Sequence, residues 1–201
     1  MSRVKEKDTS TEERILEAAR KVFTQKGYAA TRTRDIAEEA GINLALLNYY
    51  YRSKEKLFEL VMSEKVEQLF GMLLPVISDA ATGLQTKLEK TAEVYIDNLI
   101  KHPDLPLFVL SEIRQNPHWI SSKIPVAAIF RESSFVRQVK EKRPDLNPIH
   151  FLLNILGMCV FPFVTRPVFT GAGVIKEKDF KKVMEERKKL IPIWMKTMLE
   201  T

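Results

Sequence analysis

Arg32, Thr33 and Arg34 stand together, and Tyr49, Tyr50 and Lys54 follow within about two helical turns of one another. Their shared chemistry is that of a phosphate grip. Guanidinium and ammonium groups neutralise phosphate charge, and threonine and tyrosine hydroxyls donate hydrogen bonds to phosphate oxygens. Lys54 also opens a helix, where unpaired backbone N–H groups favour an anion. Between the two clusters runs Asn43-Leu44-Ala45-Leu46-Leu47-Asn48. An asparagine amide suits a paired contact with adenine, and leucine and alanine suit thymine methyl groups. Any one of these residues, Arg52 included, is ordinary on a solvated face. The set bracketing a single turn points to double-stranded DNA, with Asn43 at the head of the reading segment counted among the contacts.

Such groups need a rigid frame, and the surrounding periodicity supplies one. Ser10-Thr11-Glu12-Glu13 has the form of a capping box. Ile15, Leu16, Ala19, Val22 and Phe23 then recur at helical spacing up to Gly27, a permissive stop. A second helix over about 33–40 buries Ile36 and Ala37, Gly41 ends it, and Asn43 caps a third over about 44–51. Helix, tight glycine turn and helix form a helix-turn-helix, whose second helix enters the major groove with its early residues toward the bases. Leu44, Ala45 and Asn48 then face outward, while Leu47 and Tyr51 face Ile36 and Phe23. Ser53 caps a fourth helix bearing Leu57, Phe58, Leu60, Val61, Leu69 and Phe70, which Pro75 ends or kinks.

The run from Thr11 to Val61 resembles the signature of the tetracycline-repressor (TetR) family. The resemblance is carried by Gly27-Tyr28-Ala29-Ala30-Thr31-Arg32-Thr33-Arg34-Asp35-Ile36-Ala37-Glu38-Glu39-Ala40-Gly41-Ile42 and by Leu47-Asn48-Tyr49-Tyr50-Tyr51-Arg52-Ser53-Lys54-Glu55-Lys56-Leu57-Phe58. It implies an all-α protein, a three-helix DNA-binding domain joined to a helical domain that dimerises and commonly binds a small effector. It places Arg34, Leu44, Ala45 and Asn48 near bases, and Thr33, Tyr49, Tyr50 and Lys54 at phosphates. Two positions depart from the family pattern. Leu46 stands where serine or threonine is common, and Asn48 where tyrosine is common, which changes what the groove helix can read. The expected domains are 1–52 for DNA and 53–201 for effector binding and dimerisation.

Bulk properties fit this division. With 201 residues, 45% hydrophobic and 29% charged, the chain can bury a core, and its net charge of +6 suits a polyanion. The one cysteine, Cys159, excludes an intrachain disulfide. The N-terminus lacks the apolar segment of a signal peptide, and the run Phe151 to Val164 falls short of the ~20 residues of a spanning helix. A cytoplasmic protein without membrane contact is expected. Further helices are expected over about 83–101, 104–116, 119–141, 148–164 and 178–199, with prolines at most breaks and Pro125 and Pro192 kinking or splitting theirs.

Residues 148–164 are apolar nearly all round, and the last helix carries a stripe of Phe180, Val183, Met184, Arg187, Leu190, Ile191, Trp194, Met195 and Met198. A helix apolar on every side must be covered on every side. These two helices are therefore expected to form a symmetric four-helix interface in a homodimer reading two half-sites. Tyr95, Phe108, Trp119, Phe151, Asn154, Ile155 and Met158 are candidates to line an effector cavity, mixing apolar walls with polar groups.

Enzymatic readings find little support. His102, His118 and His150 share no metal-ligand spacing with each other or with Cys159, and neither a phosphate loop nor a nucleophile elbow is present. No metal or cofactor is expected. The expected function is a ligand-responsive regulator, a repressor binding a near-palindromic operator. Its rivals are an architectural or replication-linked DNA binder without small-molecule control, and a helical carrier or enzyme with a vestigial DNA-binding domain.

Overall fold

The computed structural model describes residues 2–115, 118 and 126–200. Every regular element among them is helical: α1 (Ser2–Ala30), α2 (Thr33–Glu39), α3 (Leu44–Tyr50), α4 (Lys54–Ser78), α5 (Leu84–Lys101), α6 (Leu105–Gln115), α7 (Val126–Glu132), α8 (Ser134–Lys142), α9 (Pro148–Gly171), a 3-10 turn (Glu177–Asp179) and α10 (Phe180–Glu200). The chain divides into two compact units, Met1–Lys65 and Val66–Thr201. That division falls beyond the expected one at 52/53, because the first turns of α4 complete the first core. Leu57, Phe58 and Val61 are buried there. The Phe58 ring meets Phe23 edge-on at 5.1 Å and Tyr28 at 4.5 Å.

Several helix ends differ from expectation. Ser10 lies inside α1 and does not start it, because residues 3–9 contain neither glycine nor proline and include Arg3, Lys5, Glu6 and Lys7, which extend a helix readily. Gly27 interrupts the regular helix at φ 72°, ψ 170°, a backbone shape open to glycine. Pro75 sits within α4, which continues to Ser78. The segment expected as one helix to 141 breaks at Ser133, which caps α8 by accepting the Val136 N–H at 3.3 Å; its beginning at 119–125 lies outside the described residues. α9 passes through both Pro162 and Pro167 to Gly171. Pro162 has no N–H for the Met158 carbonyl, and Arg187 Nη2 of α10 donates to that carbonyl instead, at 3.0 Å.

The second unit is organised on α5, which packs against α8, α9 and α10. Leu88, Ala92, Ile96 and Leu99 of α5, Phe151, Ile155, Cys159 and Phe163 of α9, and Met184, Ile191 and Met195 of α10 are all buried where these helices pack. Lys87 belongs to the same buried face and is wholly enclosed. Its ammonium donates to Ser134 Oγ and, at 2.9 Å, to Gln138 Oε1. Ser134 in turn bonds the Ile77 and Asp79 carbonyls, and Gln138 Nε2 donates to the Thr82 carbonyl at 3.0 Å. A cation thus ties the carbonyl-rich end of α4 to α8. Lys87→Ala will lower stability by about 3 kcal/mol, since it strands a buried network. Lys87→Met, which keeps the volume and removes the charge, will cost clearly less. Urea unfolding of the two variants checks the order, and equal losses would contradict it.

α9, at 24 residues, is long and apolar enough to cross a bilayer, which corrects the expectation of a run too short to do so. The helix gained its length by continuing through its prolines. One face buries Phe151, Ile155, Cys159 and Phe163. The other leaves Leu153, Phe161 and Val168 at 58%, 62% and 67% exposure. The stripe on α10 divides in the same way. Phe180, Met184, Ile191 and Met195 complete the core of their own chain, and Leu190 and Trp194, with Ile193, stay exposed.

Candidate nucleic-acid interface

The helix-turn-helix is held by contacts that begin in α1. Arg14 Nη2 donates to the Ala40 carbonyl at 2.7 Å, fixing the end of α2. Gly41 follows with φ +64°, and the Ile42 N–H returns to the Ala37 carbonyl at 3.0 Å. Asn43 Oδ1 then accepts the Leu46 N–H at 2.8 Å, capping α3. Asn43 therefore positions α3 as well as standing at its exposed head. Leu47 is fully buried, together with Ile36 and Ala37 of α2. Burying Leu47 fixes the rotation of α3 about its axis.

That rotation turns Leu44, Ala45, Leu46, Asn48 and Tyr49 outward. Tyr49 is 79% exposed, and its ring packs edge-on against Tyr50 at 5.3 Å, which holds both phenols. Tyr50 and Tyr51 are half-buried. At the start of α2, Arg32 and Arg34 are exposed and Thr33 is half-buried. The Arg32 backbone N–H donates to Asp35 Oδ2 at 2.9 Å, and Lys26 lies 3.2 Å from the same oxygen. These two groups hold the Asp35 carboxyl below the usual carboxylate range. Asp35 is thereby engaged with its own helix start, and the two arginine side chains face solvent.

Lys54 is placed differently from expectation. Its ammonium donates to the Tyr28 and Thr31 carbonyls, each at 3.1 Å, and lies 4.1 Å from the centre of the Tyr28 ring. The Tyr28 hydroxyl donates to Glu55 Oε1 at 2.9 Å, and the phenol's pKa is raised by burial and by that carboxylate. The carbonyls left open where α1 ends attract the ammonium more closely than solvent does. Lys54 therefore clasps α1 to α4 instead of reaching outward. A second clasp, missed in the sequence, pairs Arg20 Nε and Nη2 with both carboxylate oxygens of Glu64 at 2.8 Å. A bidentate pair of this kind fixes direction as well as distance.

Of the candidate cavity residues in the second unit, Tyr95, Phe108, Phe151 and Ile155 are buried, and Met158 is half-buried. Asn154 lies on the exposed face of α9, its amide 3.4 Å from Met198 Sδ, so it does not line the interior as expected. Trp119 lies outside the described residues. Among the described residues, no three histidine, cysteine or acidic side chains gather as metal ligands would.

Residues 15–61, which take in the core of α1, all of α2 and α3 and the start of α4, match the family described as bacterial regulatory proteins, tetR family. Residues 15–61 form a DNA-binding domain of the TetR type. The chain is 26% identical over 203 residues to the probable HTH-type transcriptional regulator YttP of Bacillus subtilis (strain 168), a match covering 96% of this chain and 95% of that one. It is 30% identical over 127 residues to the HTH-type transcriptional repressor KstR2 of Mycolicibacterium smegmatis, covering 55% of this chain and 62% of the relative. Its fold is similar to that of the transcriptional regulator FadR from Bacillus subtilis, solved in complex with stearoyl-CoA. That similarity has a TM-score of 0.53 at 18% identity and covers 90% of this chain and 97% of FadR.

Proposed function

We propose that this TetR-family regulator is a homodimeric, ligand-responsive repressor that reads a near-palindromic operator with α3, one half-site per chain. The observation that carries the reading is the orientation of α3. Leu47 is sealed inside while Leu44, Ala45, Asn48 and Tyr49 are exposed, as are Arg32 and Arg34 at the start of α2. In this reading Leu44, Ala45, Asn48 and Arg34 meet base edges, and Arg32, Thr33, Tyr49 and Tyr50 hold phosphates. Lys54 serves as the clasp behind them.

A partner chain is favoured by the apolar residues left exposed on α9 and α10, among them Leu153, Phe161, Ile193 and Trp194. They form a patch of the kind that a second copy covers. A bound dimer occludes the promoter, consistent with the naming of KstR2 as a repressor. Control by a small molecule is favoured by the stearoyl-CoA held by FadR. The regulator acts without chemistry of its own, in the cytoplasm with the DNA it reads.

Asn48→Ala tests the assignment of bases. It will relax preference at one base pair of each half-site by about 1–3 kcal/mol and leave binding to random DNA nearly unchanged. Binding measured on a set of singly substituted operators checks this, and a uniform loss over all of them would make Asn48 a positioning residue only.

A further inference from the structure

We propose that Arg187 of α10 anchors the carboxylate of a singly charged effector with an apolar body, in the layer where α5, α9 and α10 pack together. The proposal rests on the effector-controlled reading above and adds a ligand class and an anchoring residue to it.

The argument begins from a cation without a counter-ion. Arg187 is half-buried, and among the described residues no carboxylate pairs with it. Nη2 is used on the Met158 carbonyl, and the guanidinium lies 5.3 Å from the Trp194 ring. Nε is buried with no hydrogen-bond partner. The groups within electrostatic reach do not supply a negative charge. Burial pushes the Cys159 thiol up to about 12, so it stays protonated beside the arginine. Tyr95, in reach of Cys159, is pushed up by burial as well and stays neutral. The Met158 carbonyl and the Trp194 ring engage part of the guanidinium, but a buried Nε–H without an acceptor is unfavourable, and native folds rarely leave such a donor unmet.

The facing helix repeats the pattern. Thr91, Tyr95 and Asn98 share the buried face of α5 at intervals of four and three residues. Thr91 Oγ1 and Asn98 Oδ1 are buried and unpartnered. α5 packs against both α9 and α10, and those two pack against each other. Thr91, Asn98 and Arg187 thus each leave a buried polar atom without a partner, on helices that pack together.

A carboxylate answers the two donors among these, the Arg187 Nε–H and the Thr91 hydroxyl. Its oxygens accept from Nε and from the guanidinium donors that Met158 leaves free. Thr91 offers a hydroxyl donor. The ligand carries one negative charge, since the neighbouring Lys188 is already held by Asp97 at 2.6 Å and Glu185 at 2.7 Å. Its body is apolar, because Phe151 and Ile155 precede Cys159 along the same buried face of α9. Such a guest must part α5 from α9 and α10, which gives it different affinities for the open and closed packings, as control requires.

The test titrates the full-length protein with decanoate, 1-decanol and decyl phosphate, following tryptophan emission and operator affinity in parallel. Decanoate will bind more tightly than either comparison compound. Arg187→Gln, which retains an N–H for the Met158 carbonyl, will weaken decanoate about 10- to 100-fold and leave decanol unchanged. Arg187→Lys, which keeps the charge, will stay closer to wild type and serves if the glutamine variant misfolds. No binding of decanoate, equal binding of decanol by the wild type, or equal decanoate binding by Arg187→Gln would overturn the proposal while leaving effector control by another ligand open. Binding through Arg187 without change in operator affinity would uphold the anchor and overturn the effector reading.

Discussion

Replacing Leu153 and Phe161 together by glutamate will leave a folded monomer whose operator affinity is reduced by about 10²- to 10⁴-fold. Both side chains are more than half exposed on α9, so neither is needed for the core of its own chain. In the proposed dimer they are covered, and four introduced carboxylates would have to lose their water in an apolar interface. The desolvation of each costs several kcal/mol, more than a dimer of ordinary stability can absorb. Operator binding then falls because a monomer grips one half-site, and the second half-site no longer benefits from tethering. Sedimentation at micromolar concentration reads the mass, and binding to the same operator reads the affinity. A double variant that stays dimeric would remove the α9–α10 face from the interface. A monomer with undiminished operator affinity would remove the two-half-site reading.

Lys54→Met will lower the stability of the DNA-reading unit by about 2–3 kcal/mol while leaving the salt dependence of DNA binding unchanged. The stability loss follows from two hydrogen bonds given by a charged donor to otherwise open carbonyls, together with the contact on the Tyr28 ring. The unchanged salt slope follows from the position of the half-buried ammonium, which is held by the Tyr28 and Thr31 carbonyls. A lysine bound to phosphate would behave in the opposite way, reducing the slope by about one with little effect on folding. Thermal unfolding and affinity over a salt series separate these outcomes, and the second pattern would return Lys54 to the phosphate contacts.

The Lys54 result also marks how far the sequence could be read. Gly41, Asn43 and Leu47 were legible because the interactions that define them lie within a few residues: a positive φ, a cap three residues long and a helical period. Lys54 was not, because its partners lie 26 and 23 residues earlier and are backbone carbonyls with no side-chain signature. The Arg20–Glu64 pair was hidden for the same reason, at a separation of 44 residues. Prolines misled at the far end of the chain. The helix expected over 148–164 does not stop before Pro167: α9 runs through Pro162 and Pro167 alike, with a side chain from another helix replacing the bond lost at Pro162. The buried polar residues of α5 did leave a signal. Lys87, Thr91 and Asn98 fall within the apolar period of Leu84, Leu88 and Leu99, and a lysine at such a position announces either a buried network or an error of register. Asn154 shows the converse: the amphipathic pattern of α9 was too uniformly apolar to tell its inner face from its outer one.

The central claim, that α3 reads operator DNA beside the α2 arginines, is tested most directly by selecting genomic fragments with the purified protein at one fixed salt concentration. An Arg34→Ala/Tyr49→Ala variant is run alongside, both side chains being exposed and outside the core. The account predicts that the wild type recovers fragments sharing an inverted repeat and that the variant, still folded, recovers none of them. Uniform recovery of all fragments would identify a binder without sequence preference, and an inverted repeat recovered equally by both proteins would show that α3 is not the reading helix.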